Sequence, residues 1–378
     1  MNLSGLRAQL DKIDDEISRL FKERMEVVDQ VAEVKRQTGG AVLNKNREQD
    51  IISRLTRGEI PETAAQLQLL FSTLFGISRS HQASRMPHQT TLSDAIREAA
   101  SAGGEFPEST SAACQGVEGA YSQIACARLF SSPQISFFSS FEGVFRAVDQ
   151  GLCRYGVLPI ENSANGSVTK VYDLMKKYNF YIVKSVRLRI DHCLLMLPGT
   201  KPENIKEIIS HEQALGQCST FIENLPGVKA TVCENTAVAA KLVSESGRSD
   251  LAAVSSAECA GLYGLEIVRR EIKNTDHNYT RFICISKKLE IYPCARKTSL
   301  MLTLPHRPGS LFDVLSKLSA LGLNLTKLES RPIVGRDFEF LFYFDFETGE
   351  YSEPVLRLFD ELAEDLERFK FIGSYNEI

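Results

Sequence analysis

The chain has 378 residues, 43% of them apolar, and a formal net charge of −4 at neutral pH. That length predicts two or three domains with ordinary packed cores. A slightly acidic chain with no basic run longer than a pair carries no electrostatic footprint for nucleic acid. Nine cysteines lie between Cys114 and Cys294, an odd count with no C-x-x-C. They predict reduced, mostly buried thiols, and neither a disulfide framework nor a zinc site. Met1-Asn2-Leu3-Ser4-Gly5 has no apolar signal core, and no apolar run reaches the ~18 residues of a membrane span. The expectation is a cytoplasmic protein with no membrane or nucleic-acid partner.

Residues 1–85 read as a helical module. Leu3, Leu6, Leu10, Ile13, Ile17, Leu20, Val27, Val31 and Val34 recur at alternating three- and four-residue spacing. They draw an apolar stripe along one long helix, with Ser4 as N-cap and Gly39-Gly40 as its end. About 34 residues at ~1.5 Å each give roughly 50 Å. A compact 85-residue domain has a radius of gyration near ~12 Å, so the helix would overhang its own domain. A second copy of the chain is therefore expected to cover the stripe, as a homodimer or higher homo-oligomer.

The stripe position after Leu20 is Arg24, and a core guanidinium needs an anion. Lys35 follows eleven residues later, within ~20° of Arg24 on the helix, while Arg7 points roughly 100° away. Arg7 would serve the site of a dimer partner. A second helix is expected over 45–57, capped by Asn44, with Arg47 and Glu48 in its first turn. A third is expected over 62–83, placing Ser78 and Gln82 one turn apart on one face. Polar groups from three helices thus replace apolar ones at one level of the core. The ordinary alternative is a satisfied buried ion pair, such as Arg24 with Glu48.

Residues 86–114 are rich in Ser, Ala, Gly and Thr and read as a linker, with a short helix over 92–100. From 115 to 290 strand-like and helix-like stretches alternate. Strands are expected over 134–138, 155–160, 181–189, 208–210, 229–233, 251–255 and 282–286. Helices are expected over 141–150, 168–178, 213–223, 237–246 and 257–261. Such alternation predicts mainly parallel sheets covered by helices, long enough for two small lobes with a cleft between them. Four segments here offer small polar groups beside backbone N–H groups at strand or helix ends. They are Leu158-Pro159-Ile160-Glu161-Asn162-Ser163, Ser210 through Cys218, Asn235-Thr236-Ala237-Val238-Ala239 and Asp276-His277-Asn278-Tyr279-Thr280-Arg281-Phe282. Singly each is an ordinary turn or cap. Together they suggest a cleft for an anionic small molecule. Gly116-Val117-Glu118-Gly119-Ala120-Tyr121-Ser122 matches no nucleotide-binding pattern, although a helix N-terminus there suits a carboxylate.

Residues 297–378 read in the order βαββαβ, a ferredoxin-like α+β pattern. Pro308-Gly309-Ser310-Leu311 places glycine before a helix, where backbone N–H groups suit a carboxylate.

On these segments, residues 115–285 resemble the prephenate dehydratases. The helical module resembles chorismate mutases, and the C-terminal segment resembles ACT amino-acid-binding modules. The whole is similar to the bifunctional chorismate mutase/prephenate dehydratase family of phenylalanine biosynthesis. The resemblance implies an all-α mutase domain at 1–85 and a linker at 86–114. It implies a two-lobe α/β dehydratase domain like the periplasmic binding proteins at 115–290, and an ACT domain at 297–378. In the mutase, Arg7, Arg24 and Arg47 would take the substrate carboxylates, and Lys35 and Gln82 the ether oxygen. Glu48 would take the ring hydroxyl, with Ser78 nearby. Asn44 stands where the best-known members carry Asp, and its amide still accepts a hydrogen bond.

In the dehydratase, Thr280 would be the principal catalytic residue. Arg281 would hold substrate carboxylates, and Asn162, Ser163, Ser210, Gln217 and Thr236 would line the site. His211 and His277 are expected to be structural. Gly309, Ser310, Leu311, Asn324, Glu329, Ser330 and Arg331 would bind phenylalanine as feedback inhibitor. No metal or organic cofactor is implied. Two alternatives remain: a non-catalytic amino-acid sensor on the same folds, and a dehydratase that also takes arogenate.

Overall fold

The computed structural model describes residues 2–40, 44–83, 85, 92–275, 277–333, 339–349 and 351–378. The chain forms two compact units. One holds residues 1–95, 301–343 and 350–370, and the other holds 96–300, 344–349 and 371–378.

In the first unit, α1 (Leu3–Thr38) is a single 36-residue helix. Its cap is Asn2, not Ser4: the Asn2 side chain accepts from Gly5 N, two residues earlier than expected. Gly39, in the left-handed conformation that favours glycine, ends it. The stripe is uncovered within the chain, with Leu3 65%, Leu10 57% and Val34 59% exposed. Two helices follow, α2 (Lys45–Thr56) and α3 (Pro61–Ala83). Then α4 (Leu92–Ser101) begins with its Ser93 N–H donating to the Asp360 carboxylate at 2.9 Å.

The tether expected over 86–114 is shorter than its composition suggests, and its residues 86–91 lie outside the described set. Ser109–Gln115 is a strand, β1, paired on both sides in the second unit's larger sheet, next to its edge strand. Ala112, Ala113 and Cys114 are fully buried there. Small side chains let helices pack closely on the strand, so a composition that resembles a linker serves a core.

The dehydratase-like region continues with α5 (Tyr121–Leu129), β2 (Ser132–Phe138), α6 (Phe141–Asp149), β3 (Tyr155–Asn162) and the two-residue β4 (Gly166–Ser167). Next come α7 (Thr169–Lys177), β5 (Tyr181–Arg189), β6 (Cys193–Met196), β7 (Glu207–Ser210), α8 (Glu212–Gln217), α9 (Ser219–Glu223) and β8 (Lys229–Val232). The run closes with α10 (Thr236–Ser246), β9 (Leu251–Ser255), α11 (Ala257–Tyr263), β10 (Glu266–Arg269) and β11 (Tyr279–Ser286). Strands β1, β4, β6 and β10 had no sequence counterpart, and β11 starts three residues before the expected 282.

These strands form two sheets. In one, β11 runs between β3 and β5, antiparallel to both, with β1 and β2 beyond β3. The other has the order β10-β6-β9-β7-β8. Its apolar cores lie on both faces, around Leu195, Ala240 and Ala253 on one and Met196, Ile208 and Val254 on the other. The chain crosses between the sheets twice, between β5 and β6 and between β10 and β11. Backbone bonds tie the crossings, from Ile190 N to Asn278 O (2.8 Å) and from Ile272 N to His192 O (3.2 Å).

The C-terminal segment runs β12 (Lys297–Thr303), α12 (Ser310–Ala320), β13 (Asn324–Pro332), β14 (Phe340–Glu347), α13 (Glu353–Asp365) and β15 (Phe369–Glu377). This is the expected βαββαβ order. Within the second unit β15 pairs in parallel with β5 through Asn376–Lys184 and Glu377–Ser185. Gly373 permits the approach, because a Cβ there would collide with the Ile182 carbonyl oxygen.

Candidate active sites

The first site gathers on α1, α2 and α3. Arg24, half-buried on α1, donates through Nη1 to Ser78 Oγ and lies 6.0 Å from the Phe75 ring centroid. Among the described residues it has no acidic partner, and burial lowers its pKa. A half-buried cation whose described contacts are a hydroxyl and an aromatic ring is suited to an anion. Lys35 is also half-buried; burial pulls its pKa down while Glu48 pulls it up, which places both beside one another. Gln82 is 8% exposed, and its side-chain oxygen has no partner among the described residues.

The alternative Arg24–Glu48 ion pair does not form among the described residues. Glu48 Oε1 instead pairs with Arg79 Nη1 at 2.5 Å. Sequence reasoning missed Arg79; its only signal was a second basic residue next to Ser78. The Asn44 side-chain oxygen caps α2 by accepting from Arg47 N at 3.1 Å. Arg7 and Arg47 are exposed within the single chain.

The second site centres on Thr280, which is 9% exposed on β11. Its cross-strand partner on β3 is Asn162. The Asn162 side-chain oxygen accepts from Ala164 N and Asn165 N, each at 3.0 Å. Backbone N–H groups can only donate, so the Asn162 amide nitrogen must point the other way. It donates to Thr280 Oγ at 2.9 Å and to the Asn278 side-chain oxygen at 2.8 Å. Thr280 Oγ thus receives a hydrogen bond and keeps its own O–H to give. Asn278, 1% exposed, donates through Nδ2 to Gln217 Oε1 at 2.9 Å. No described residue takes the Gln217 N–H groups, so Gln217 is a second available donor.

Three expectations need correction. Arg281 does not face an open cleft. It follows Thr280 on a strand, where consecutive side chains take opposite faces. Its guanidinium lies 2.8 Å from Glu161 Oε1, 2.6 Å from Asp345 Oδ2 and 3.8 Å from Glu377 Oε2. Burial opposes its charge, yet Tyr375, Asp345 and Glu161 outweigh that and raise its pKa. Ser163 is likewise committed: its Oγ donates to His277 O (3.1 Å) and accepts from Tyr279 N (2.9 Å). It positions the Thr280 strand instead of presenting a hydroxyl. Ser210 is fully buried and donates to Val254 O at 2.6 Å, tying β7 to β9.

Thr236 begins α10, capped by the Asn235 side chain on Val238 N (2.8 Å), and no described residue bonds its hydroxyl. His211 caps α8, accepting from Gln213 N at 3.3 Å through Nδ1, and His277 is exposed. Among the described residues neither side chain hydrogen-bonds Thr280. Asp276 lies outside the described residues.

Because Arg281 is 5% exposed among three acids, Arg281→Leu strands buried carboxylates. The expected cost is about 3–5 kcal/mol of stability. Thermal unfolding followed beside dehydratase activity checks this. A variant as stable as the parent but inactive would return Arg281 to the substrate.

In the C-terminal segment Gly309 holds φ 88°, a left-handed conformation, just before α12. Ser310 is 7% exposed and its Oγ has no partner among the described residues. On β13, Glu329 lies 3.4 Å from Lys327 and 3.9 Å from Arg331. Leu311, Asn324 and Ser330 stand on the same two elements.

Residues 6–83 match the family model for chorismate mutase type II, and residues 112–290 match that for prephenate dehydratase. The chain is 31% identical over 384 residues to the bifunctional chorismate mutase/prephenate dehydratase of Escherichia coli K12, covering 99% of this chain and 96% of that one. It is 36% identical over 277 residues to arogenate dehydratase/prephenate dehydratase 1 of Arabidopsis thaliana, covering 69% of this chain and 70% of that one. Prephenate dehydratase from Arthrobacter aurescens in complex with L-Phe superposes with a TM-score of 0.65 at 25% identity. That match covers 70% of this chain and 90% of that one.

Proposed function

The chain belongs to the bifunctional chorismate mutase/prephenate dehydratase family, and from that we propose that the cluster on α1–α3 performs the first reaction and the Thr280 cluster the second. It converts chorismate to prephenate and prephenate to phenylpyruvate, in phenylalanine biosynthesis. The observation that carries the assignment is a pair of unfinished polar clusters. One is a half-buried cation without an acid partner among the described residues, and the other is a hydroxyl that accepts from Asn162 and keeps its own O–H to give.

The first reaction is a unimolecular rearrangement with no nucleophile and no proton transfer. Arg24 binds a substrate carboxylate and holds the compact conformer. Lys35 and Gln82 donate to the ether oxygen as its C–O bond breaks and negative charge grows there. Glu48, braced by Arg79, takes the ring hydroxyl, with Ser78 and Asn44 beside it. Arg7 comes from a second copy of the chain, whose α1 covers the exposed stripe, and Arg47 closes over the substrate.

In the second reaction the carboxylate leaves as CO2, and its C–C electron pair aromatises the ring and expels the ring hydroxyl. Thr280 Oγ–H donates to that departing oxygen, which takes up a proton and leaves as water. Asn162 orients Thr280. Gln217 and Thr236 contact the substrate's polar groups. Two sheets joined by two crossings support a two-lobe domain like the periplasmic binding proteins.

We assign the βαββαβ segment as an ACT module that binds phenylalanine as feedback inhibitor, around Gly309, Ser310, Leu311 and Asn324 with Glu329-Ser330-Arg331. The Ser310 hydroxyl, without a partner among the described residues, and the left-handed Gly309 support this, as does the phenylalanine complex of the Arthrobacter relative.

The test is a chorismate feed in which chorismate, prephenate and phenylpyruvate are followed together, with and without phenylalanine. Phenylpyruvate formation suppressed by phenylalanine is expected. Prephenate that accumulates without phenylpyruvate would remove the dehydratase assignment. No turnover from folded protein would favour the sensor alternative. The similarity to plant arogenate dehydratases supports a second substrate, read as phenylalanine formed from arogenate.

A further inference from the structure

We propose that His192, which lies on the first crossing between the two sheets, is a positioning residue for the dehydratase reaction: as the Nε2–H tautomer it holds the Gln217 amide at the end of the chain Thr280–Asn162–Asn278–Gln217, so that the Gln217 N–H groups stay turned to the substrate. The proposal rests on the assignment of Thr280 and Gln217 above and extends it to a residue outside every motif.

The polarity starts from groups whose direction is fixed. Ala164 N and Asn165 N can only donate, so the Asn162 oxygen faces them and its nitrogen faces Asn278 and Thr280. The Asn278 oxygen is then an acceptor, and its nitrogen donates to Gln217 Oε1. His192 Nε2 meets that same Gln217 oxygen at 2.9 Å. An amide oxygen only accepts, so His192 Nε2 carries a proton. Its other ring nitrogen, Nδ1, is buried without a hydrogen-bond partner among the described residues. A bare Nδ1 tolerates that setting better than an N–H would. Burial also lowers the pKa of His192, which is 2% exposed, and keeps the ring neutral.

Two donors on one oxygen hold the Gln217 amide against a flip. With its oxygen turned inward to His192 and Asn278, its N–H groups face outward. At the other end of the chain the Ala164 and Asn165 N–H groups hold the Asn162 nitrogen on Thr280 Oγ, and Thr280 keeps its own proton for the departing oxygen. Asn278 and His192 stand on the two crossings, so the lock sits where the sheets meet. His192 touches no reacting atom. It acts through Gln217.

Three measurements test this. In 15N-labelled full-length protein at neutral pH, His192 should show a protonated Nε2 and a bare Nδ1; the opposite tautomer overturns the proposal whatever the activity. His192→Phe keeps ring volume without the donor. Its kcat/KM for prephenate should fall about 10-fold or more, with chorismate consumption unchanged. His192→Gln places an N–H near the Nε2 position and should recover most of that loss, to within about threefold of the parent. A glutamine variant no better than the phenylalanine variant would mean a packing role only, and a phenylalanine variant equal to the parent would remove the role entirely. Failure of the parent to consume prephenate would instead strike the dehydratase assignment. The tautomer measurement still decides the polarity in that case.

Discussion

Thr280→Val should lower dehydratase turnover about 100- to 1,000-fold and leave chorismate consumption at the parent level. Valine matches threonine in shape, so the 9% exposed site stays filled. Two things are lost: the O–H that donates to the departing oxygen, and the acceptor for Asn162 Nδ2 at 2.9 Å. Thr280→Ser restores both and should retain most of the turnover. Steady-state rates on prephenate, with the mutase rate as internal control, check it. Equal losses in the serine and valine variants would mean that the methyl group and packing matter, not the hydroxyl.

Arg24→Ala should cut mutase activity by at least about 1,000-fold while the dehydratase rate on added prephenate is unchanged. Arg24 is a half-buried cation without an acid partner among the described residues, and such a group is kept for an anion that arrives. Arg24→Lys should recover little, because an ammonium cannot reproduce the planar fork that grips a carboxylate. Removing the charge leaves no stranded acid behind, so stability should hold. The contrast with Arg281 is instructive: there the charge is already answered by three carboxylates, and its loss should be felt in folding.

Much of this was legible in the chain because periodicity and its interruptions have simple causes. The α1 stripe followed from three- and four-residue spacing. Arg24 announced itself by occupying a stripe position that burial should reserve for an apolar group. Asn162 and Thr280 stood in motif-like segments, and the structure brings them together as a cross-strand pair. What failed had equally simple causes. β1 was taken into the linker because Ser, Thr and Ala are also what a tightly packed strand paired on both sides requires. Arg281 was assigned to the substrate because it stands beside Thr280 in the motif, on a stretch read as lying before the strand at 282. With β11 beginning at Tyr279, the two-residue period turns Arg281 away from Thr280. Ser163 looked like a ligand because its partners, His277 and Tyr279, are more than a hundred residues distant in sequence. His192 and Arg79 carried no pattern at all; their roles arise only from what the fold places beside them.

The measurement that bears most directly on two independent sites in one chain mixes the Arg24→Ala and Thr280→Val variants in equal amounts and feeds chorismate. Each alone should make almost no phenylpyruvate: the first stops before prephenate, and the second accumulates it. Together they should restore phenylpyruvate formation, because prephenate made by one is consumed by the other. A mixture as inactive as either variant, with both proteins folded, would contradict separate sites.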